Sequence, residues 1–374
     1  MAAVLGFREA ISAVSPIRCV QQAMNLRPDA LQISGALFPL ADDSKVALVA
    51  FGKASLAMTA AAESCLQNRI LKGVVLAPEG SVSSYNLKST VYYGAKNNLP
   101  NLASVSGTER ILSFIEECDH PNNIVLFLIS GGGSALFCSP DGVSLDEKLS
   151  TIQTLVSHGA DIQQLNIVRQ SLSRVKAGRT LSRIKSARVV SLIMSDIVGD
   201  PVHLIASGPT IPPVSTVSPL DILQSLRIPL NSLPPAVVDQ LLATRQSMDS
   251  SVQNNHFIVA NNSLALISIK NFLENYGYSV QLVTSSLCGD ATFRGYTMTS
   301  FSKKMALVFG GETTVKGLGT SGMGGRCQHM VLSCLLEVSV GIRPTHKFCF
   351  LAAGTDGQDG PTEAAGAFIT GNLV

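Results

Sequence analysis

Tryptophan is absent from this 374-residue chain, and Phe and Tyr together bring the aromatic share to only 5%. So few rings leave little material for a stacking platform on single-stranded nucleic acid. Charged residues are also sparse, at 14%, and the formal net charge is +2. That excess is too small to drive binding to a polyanion, so no nucleic-acid partner is expected. No apolar run approaches the ~18 residues needed to cross a bilayer, so no membrane partner is expected either. The eight cysteines contain no CxxC pair and no zinc-ligand spacing. Buried, reduced thiols of an intracellular protein fit that pattern. The N-terminus has no compact signal-peptide core and reads as an amphipathic first helix. The expected compartment is the cytoplasm, with mitochondria as the alternative because Arg8 and Arg18 give a weak presequence character.

Hydrophobic residues make up 46% of the chain, which excludes a disordered protein. Short apolar runs alternate with segments of helical period. VALVAFG (46–52), GVVLAP (73–78), STVYYGA (89–95), IVLFLIS (124–130) and RVVSLIMSD (188–196) read as strands, with helices between them. HFIVA (256–260), YSVQLVT, KMALVFGG and FCFLAAG continue the series in the second half. Such alternation predicts an α/β chain of two domains, each with a mainly parallel sheet flanked by helices. The Pro- and Ser-rich stretch between Pro209 and Pro235 is the best linker, and a boundary near residue 245 is expected. Residues 1–245 then form a larger Rossmann-like domain and residues 246–374 a smaller one.

In open parallel sheets, ligands collect beyond the carboxyl ends of the strands. Loops with unusual chemistry stand at those ends here. AFGKAS places Lys53 where a strand gives way to a helix, a position suited to an anion-binding lysine or to an ordinary surface lysine. It is not a Walker A loop, because Ala47 stands where GxxxxGK needs glycine. In LISGGGSAL, Gly131, Gly132 and Gly133 between Ser130 and Ser134 permit close approach of backbone to an anion, or simply a tight turn. No GxSxG elbow accompanies them, which disfavours a hydrolase. LIMSDIVGDP carries Asp196 and Asp200; Asp196 suits Mg²⁺ or a proton, and Asp200 before Pro201 suits a turn cap. Glu312 follows two glycines, and Arg326 opens an apolar helix after Gly324 and Gly325, which suits a phosphoryl group. GLGTSG at 317–322 has the form GxGxxG but lacks the strand directly before it and the acid after it. GTDGQDG adds Asp356 and Asp359. A lysine, an arginine, carboxylates and amide nests together point to phosphoryl transfer, where catalysis is mostly positioning and charge stabilisation.

SGGGSAL, LNIVRQSLSRVKAGR, SDIVGDP with IASGPT, GGETTV, GGR-Q and GTDGQDGPTEAAGA, taken in order, resemble the MOFRL-type (class II) glycerate kinases of the animal-like branch. The resemblance spans nearly the whole chain. It implies ATP-dependent phosphorylation of D-glycerate to 2-phosphoglycerate with Mg²⁺, in a cleft between a larger domain and a smaller MOFRL-like one. It assigns Lys53, Asp196, Arg326 and Asp356 to catalysis. It assigns Ser130, Gly131, Gly132, Gly133, Ser134 and Lys176 to substrate or phosphate binding. The loop chemistry adds Glu312 as a further binding candidate and Asp196 with Asp200 as candidate metal ligands. Lys176 is expected to face the cleft. Where the family commonly reads GGRNQE, this chain has Cys327 and His329 in place of the amide and the acid. The family also continues past the AAGA segment, so an incomplete C-terminal domain is expected, and a form that binds ligand without turnover is the alternative function. Monomer and homodimer both stay open.

Overall fold

The computed structural model describes residues 1–82, 84–96, 99–212, 217–243, 252–292, 304–315, 322–340 and 347–371. The expected boundary at 245 and residues 317–321 of GLGTSG lie outside them. The expected single first helix is two. Helix α1 (Ala2–Ala13) ends ahead of Pro16, whose fixed φ and missing N–H suit a helix start rather than a continuation, and α2 (Pro16–Ala23) begins there. An antiparallel meander follows, made of β1 (Met24–Leu26), β2 (Ala30–Ile33) and β3 (Ala36–Pro39).

The main run then reads β4 (Val46–Phe51), α3 (Ser55–Leu66), β5 (Ile70–Pro78), β6 (Thr90–Gly94), α4 (Leu102–Cys118), β7 (Ile124–Ile129), α5 (Gly133–Leu136), α6 (Leu145–Ser157), α7 (Ile162–Ser171), β8 (Arg188–Met194), α8 (Pro219–Ser225), α9 (Pro235–Leu242) and β9 (Asn254–Ala260). Its strands form one parallel six-stranded sheet in the order β6-β5-β4-β7-β8-β9. Every residue of β4 and β7 is buried, because helices or loops cover both faces and no polar stripe is needed. One face packs Phe51, Phe127 and Val125 against α4; the other packs Leu48, Ala50 and Leu126 against α2, α3 and the meander. Full burial of Val46, Leu48, Val49 and Phe51 contributes on the order of 10 kcal/mol before chain entropy is subtracted. Helices α6 to α9 carry a separate apolar cluster around Leu155, Val168 and Val237.

The last elements are α10 (Asn262–Asn275), β10 (Ser279–Asp290), β11 (Met305–Thr314), α11 (Arg326–Val340), β12 (Cys349–Ala353) and β13 (Gly366–Thr370). Strands β10 and β11 pair in parallel, whereas β12 and β13 pair antiparallel. Helix α10 packs on the first pair and α11 on the second.

By contacts the chain divides into Pro16–Ala260 and a second unit of Met1–Ser15 with Asn261–Val374. This division differs from the expected one at both ends. Strand β9 stays with the larger unit because it pairs with β8, and α1 goes with the smaller because it packs on α10.

Candidate active site

The strand order reverses between β4 and β7, the switch point at which open sheets of this kind bind ligands. Gly52 follows β4 directly, and Ser130 then Gly131 follow β7. Gly52 has φ of +118°, and a Cβ on it would lie 2.3 Å from Ser130 Oγ. Only glycine permits this approach. The two loops are laced together: Lys53 N–H donates to the Gly131 carbonyl (2.8 Å), Ser130 N–H to the Phe51 carbonyl (3.2 Å), and Ala54 N–H to Ser130 Oγ (3.0 Å). The buried hydroxyl of Ser130 is therefore a latch between strand ends.

Beyond the latch, three candidates from three strands meet. The stem of Lys53 lies against Gly132, whose Cβ would fall 3.3 Å from Lys53 Cγ. Asp196, following β8, reaches Gly131 so closely that a Cβ there would lie 2.1 Å from its Oδ2. Lys53 and Asp196 are exposed, and Gly131 and Gly132 are half-buried. Among the described residues, the amides of Gly131 and Gly132 meet no hydrogen-bond acceptor. Gly132 is left-handed (φ +78°), as an amide nest requires. Cation, free amides and carboxylate thus share one small surface, which fits an anion whose transfer needs a base or a metal beside it.

Beneath the loop, Gly133 sits so close to Ala206 and the Phe51 ring that a Cβ would meet them at 2.8 and 3.2 Å. Phe51 in turn stacks on Phe137 with centroids 4.5 Å apart. Ser134 Oγ lies 2.9 Å from Ser207 Oγ. Ser207 belongs to a strained turn in which Ala206 (φ +51°), Ser207 (φ +63°) and Gly208 (φ +63°) are all left-handed. For non-glycine residues this costs of order 1–3 kcal/mol each and persists only when neighbours enforce it. Ala177 N–H donates to Ser207 O (3.0 Å), Gly178 N–H to Gly208 O (2.7 Å) and Gln170 Nε2 to Ser207 O (3.3 Å). The Ser207 hydroxyl donates to Asn166 Oδ1 at 3.4 Å. Asn166 and Gln170 went unassigned in the sequence, although their spacing on LNIVRQ puts both on one face of α7.

Lys176 does not lie on the ligand-facing side of the loop. Its side chain is 1% exposed and runs underneath, where Nζ donates to the carbonyls of Ser134 (2.8 Å) and Phe137 (3.5 Å). Burial, helped by the nearby Lys148 charge, pushes its amine down to about 7. Lys148 is buried too, and burial again lowers its pKa. Asp200 sits in a turn of its own (φ +55°), with its N–H on the Ile197 carbonyl at 3.1 Å. Among the described residues, no three His, Cys, Asp or Glu side chains gather as a metal cage. The site therefore fits Mg²⁺ only in the mode where one carboxylate and substrate phosphates hold the ion.

The second unit contributes a separate constellation. Arg326 opens α11 and pairs with Glu312 of β11 at 3.5 Å. Asp359, fully buried, accepts from the N–H groups of Cys327 (3.0 Å) and Gln328 (2.8 Å), and so caps the N-terminus of α11. A Cβ on Gly325 would lie 2.3 Å from Asp359 Oδ1, which accounts for that glycine. Burial first, then the Asp359 charge, push the Cys327 thiol up to about 11, so it is inert. Asp356 stays exposed on the same loop.

Comparison with known proteins places these elements in context. Residues 3–242 match the family model described as "Domain of unknown function (DUF4147)", and residues 305–374 match the MOFRL family. An uncharacterized protein of Caenorhabditis elegans is 40% identical, over 97% of this chain and 86% of its own. The D-glycerate 2-kinase of Thermotoga maritima is 33% identical, over 98% of this chain and 85% of its own. A crystal structure of glycerate kinase from Thermotoga maritima matches with a TM-score of 0.80 at 32% identity, covering 99% of this chain and 86% of that one.

Proposed function

Because the chain belongs to the MOFRL-type glycerate kinases, we propose that it transfers the γ-phosphoryl group of ATP to the 2-hydroxyl of D-glycerate, giving 2-phosphoglycerate and ADP. The observation that carries this reading is the meeting of Lys53, the free amides of Gly131 and Gly132, and Asp196 at the switch point of the sheet.

Each group has a part in the reaction. The amides and the Lys53 ammonium hold and neutralise phosphate oxygens, fixing the phosphoryl group where charge develops. Asp196 accepts the proton of the 2-hydroxyl as its oxygen bonds to phosphorus and the bond to the ADP oxygen breaks. Mg²⁺, when bound, would be held by Asp196 and would neutralise phosphate charge. Arg326 is assigned to the transferring phosphoryl group by its motif, with Glu312 as its ion-pair partner and Asp356 as an acid of the same unit. Ser130, Gly133, Ser134 and Lys176 support the loop from below.

An assay coupling ADP formation to NADH oxidation, with ATP, Mg²⁺ and D-glycerate, tests the reaction. Adding enolase without a mutase tests the product, since only the 2-phosphate is dehydrated directly. Formation of ADP with D-glycerate and enolase turnover is the expected result; ADP absent under saturating substrate would overturn the proposal.

A further inference from the structure

The carboxyl ends of β5 and β6 lie on the other side of β4 from the β7 loop, and they border a wide-mouthed cavity, open to solvent, of about 410 Å³ in the first unit. It is lined by Glu79, Gly80, Ser81, Tyr93, Gly94 and Ala103. Its volume lies in the range of small-molecule sites, roughly 300–1,000 Å³. Three observations say what it would take.

The first is topological. In sheets with this strand order, a nucleotide lies along the carboxyl edge, with phosphate on the first strand–helix turn and sugar hydroxyls on an acid ending the next strand. Here the first turn is Gly52–Lys53, the next strand is β5, and Glu79 follows its last residue. Glu79 N–H donates to the Gly94 carbonyl at 3.1 Å, which holds the backbone of that residue against the end of β6.

The second is apolar surface. Tyr93, which lines the cavity, is 45% exposed, and Val82 and Leu102, next to lining residues in the chain, are 92% and 76% exposed. An aromatic face with aliphatic neighbours left in water suits a flat, weakly polar partner such as a purine. The third is charge. A carboxylate here repels phosphate, so the phosphates belong at the Lys53 cradle and the uncharged end of the nucleotide at this cavity.

We infer that this cavity is the adenosine subsite: Tyr93 packs on the base, and Glu79 accepts hydrogen bonds from the ribose hydroxyls. The inference rests on the ATP-dependent reading above.

Photolabelling of the full chain with 8-azido-ATP, followed by peptide mapping, tests it without turnover. Saturable label on residues 79–103, displaced by ATP, is expected; label elsewhere, or none, overturns the assignment. Steady-state kinetics supply the second arm. Tyr93→Ala should raise the KM for ATP about tenfold, the scale of a lost stacking contact, with the KM for D-glycerate within about twofold. Glu79→Gln should erase the preference for ATP over 2′-deoxy-ATP, a discrimination that a merely structural role would not alter. If both variants keep wild-type KM for ATP and wild-type nucleotide preference, the subsite is wrong and the kinase reading stands. If the wild-type chain forms no ADP with D-glycerate, the kinase reading fails, and the label map alone decides the subsite.

Discussion

Gly131→Ala isolates the geometry on which the proposed chemistry depends. The new Cβ would sit 2.1 Å from Asp196 Oδ2 and 2.8 Å from its Cγ. Ordinary contact begins near 3.4 Å. The carboxylate must therefore retreat by about 1.3 Å, and a shift of about 1 Å in a positioned group costs on the order of 10²-fold in rate. That corresponds to about 2.7 kcal/mol in the barrier. The fold should barely notice, because Asp196 is exposed and can swing into solvent, so the stability cost should stay below about 1 kcal/mol. Measured at saturating ATP and D-glycerate, kcat should fall about 100-fold, with Tm within about 4 °C of wild type. A variant that folds normally and keeps kcat within about threefold of wild type would refute the role given to Asp196.

Lys53→Ala and Arg326→Ala should each lower kcat by about 10²–10³-fold with Tm unchanged, and near-normal turnover in either would show that residue lies outside the site. Asp359→Ala should instead act on stability. Losing the buried cap of two α11 amides costs about 2 kcal/mol, seen as a lower Tm and faster amide exchange in α11; wild-type exchange there would contradict the cap. Lys176 gives a pH signature. Its pKa falls from 10.5 to about 7 on folding, so the unfolded chain holds the extra proton between those values. The burial penalty is complete below pH 7, and stability should rise above it by at most on the order of 1 kcal/mol per pH unit. Buried thiols such as Cys118, raised from 9.0 to about 11, oppose this at higher pH, so the usable window is about pH 7 to 8.5. Lys176→Met should flatten the rise of Tm across that window, and an unchanged slope would remove Lys176 as its source.

The larger sheet was legible because buried parallel strands announce themselves: VALVAF and IVLFLI are unbroken apolar runs, and the glycine loops stand at their ends. Strands β1 to β3 were not, since segments of three or four residues with mixed burial carry no period that distinguishes them from a loop. Strand β13 was missed inside the alanine- and glycine-rich AAGAFIT, where β-propensity is low.

Lys53, the glycine loop and Asp196 could each be named from the chain, by type and by position after a strand. Their meeting could not, because strand order decides which ends become neighbours and no local pattern encodes it. The same holds for the two residues whose expected roles changed most in detail. Lys176 reads as one more cation near a motif, yet packing against Ser134 and Phe137 buries it beneath the loop. Asp359 reads as one of two acids in GTDGQDG. A capping partner distant in sequence makes it part of the scaffold of α11, while Asp356 on the same loop stays in water. Composition and pattern determined the class of fold and the kind of chemistry. Which charges reach the ligand and which hold the backbone was decided by burial, a property of the assembled chain.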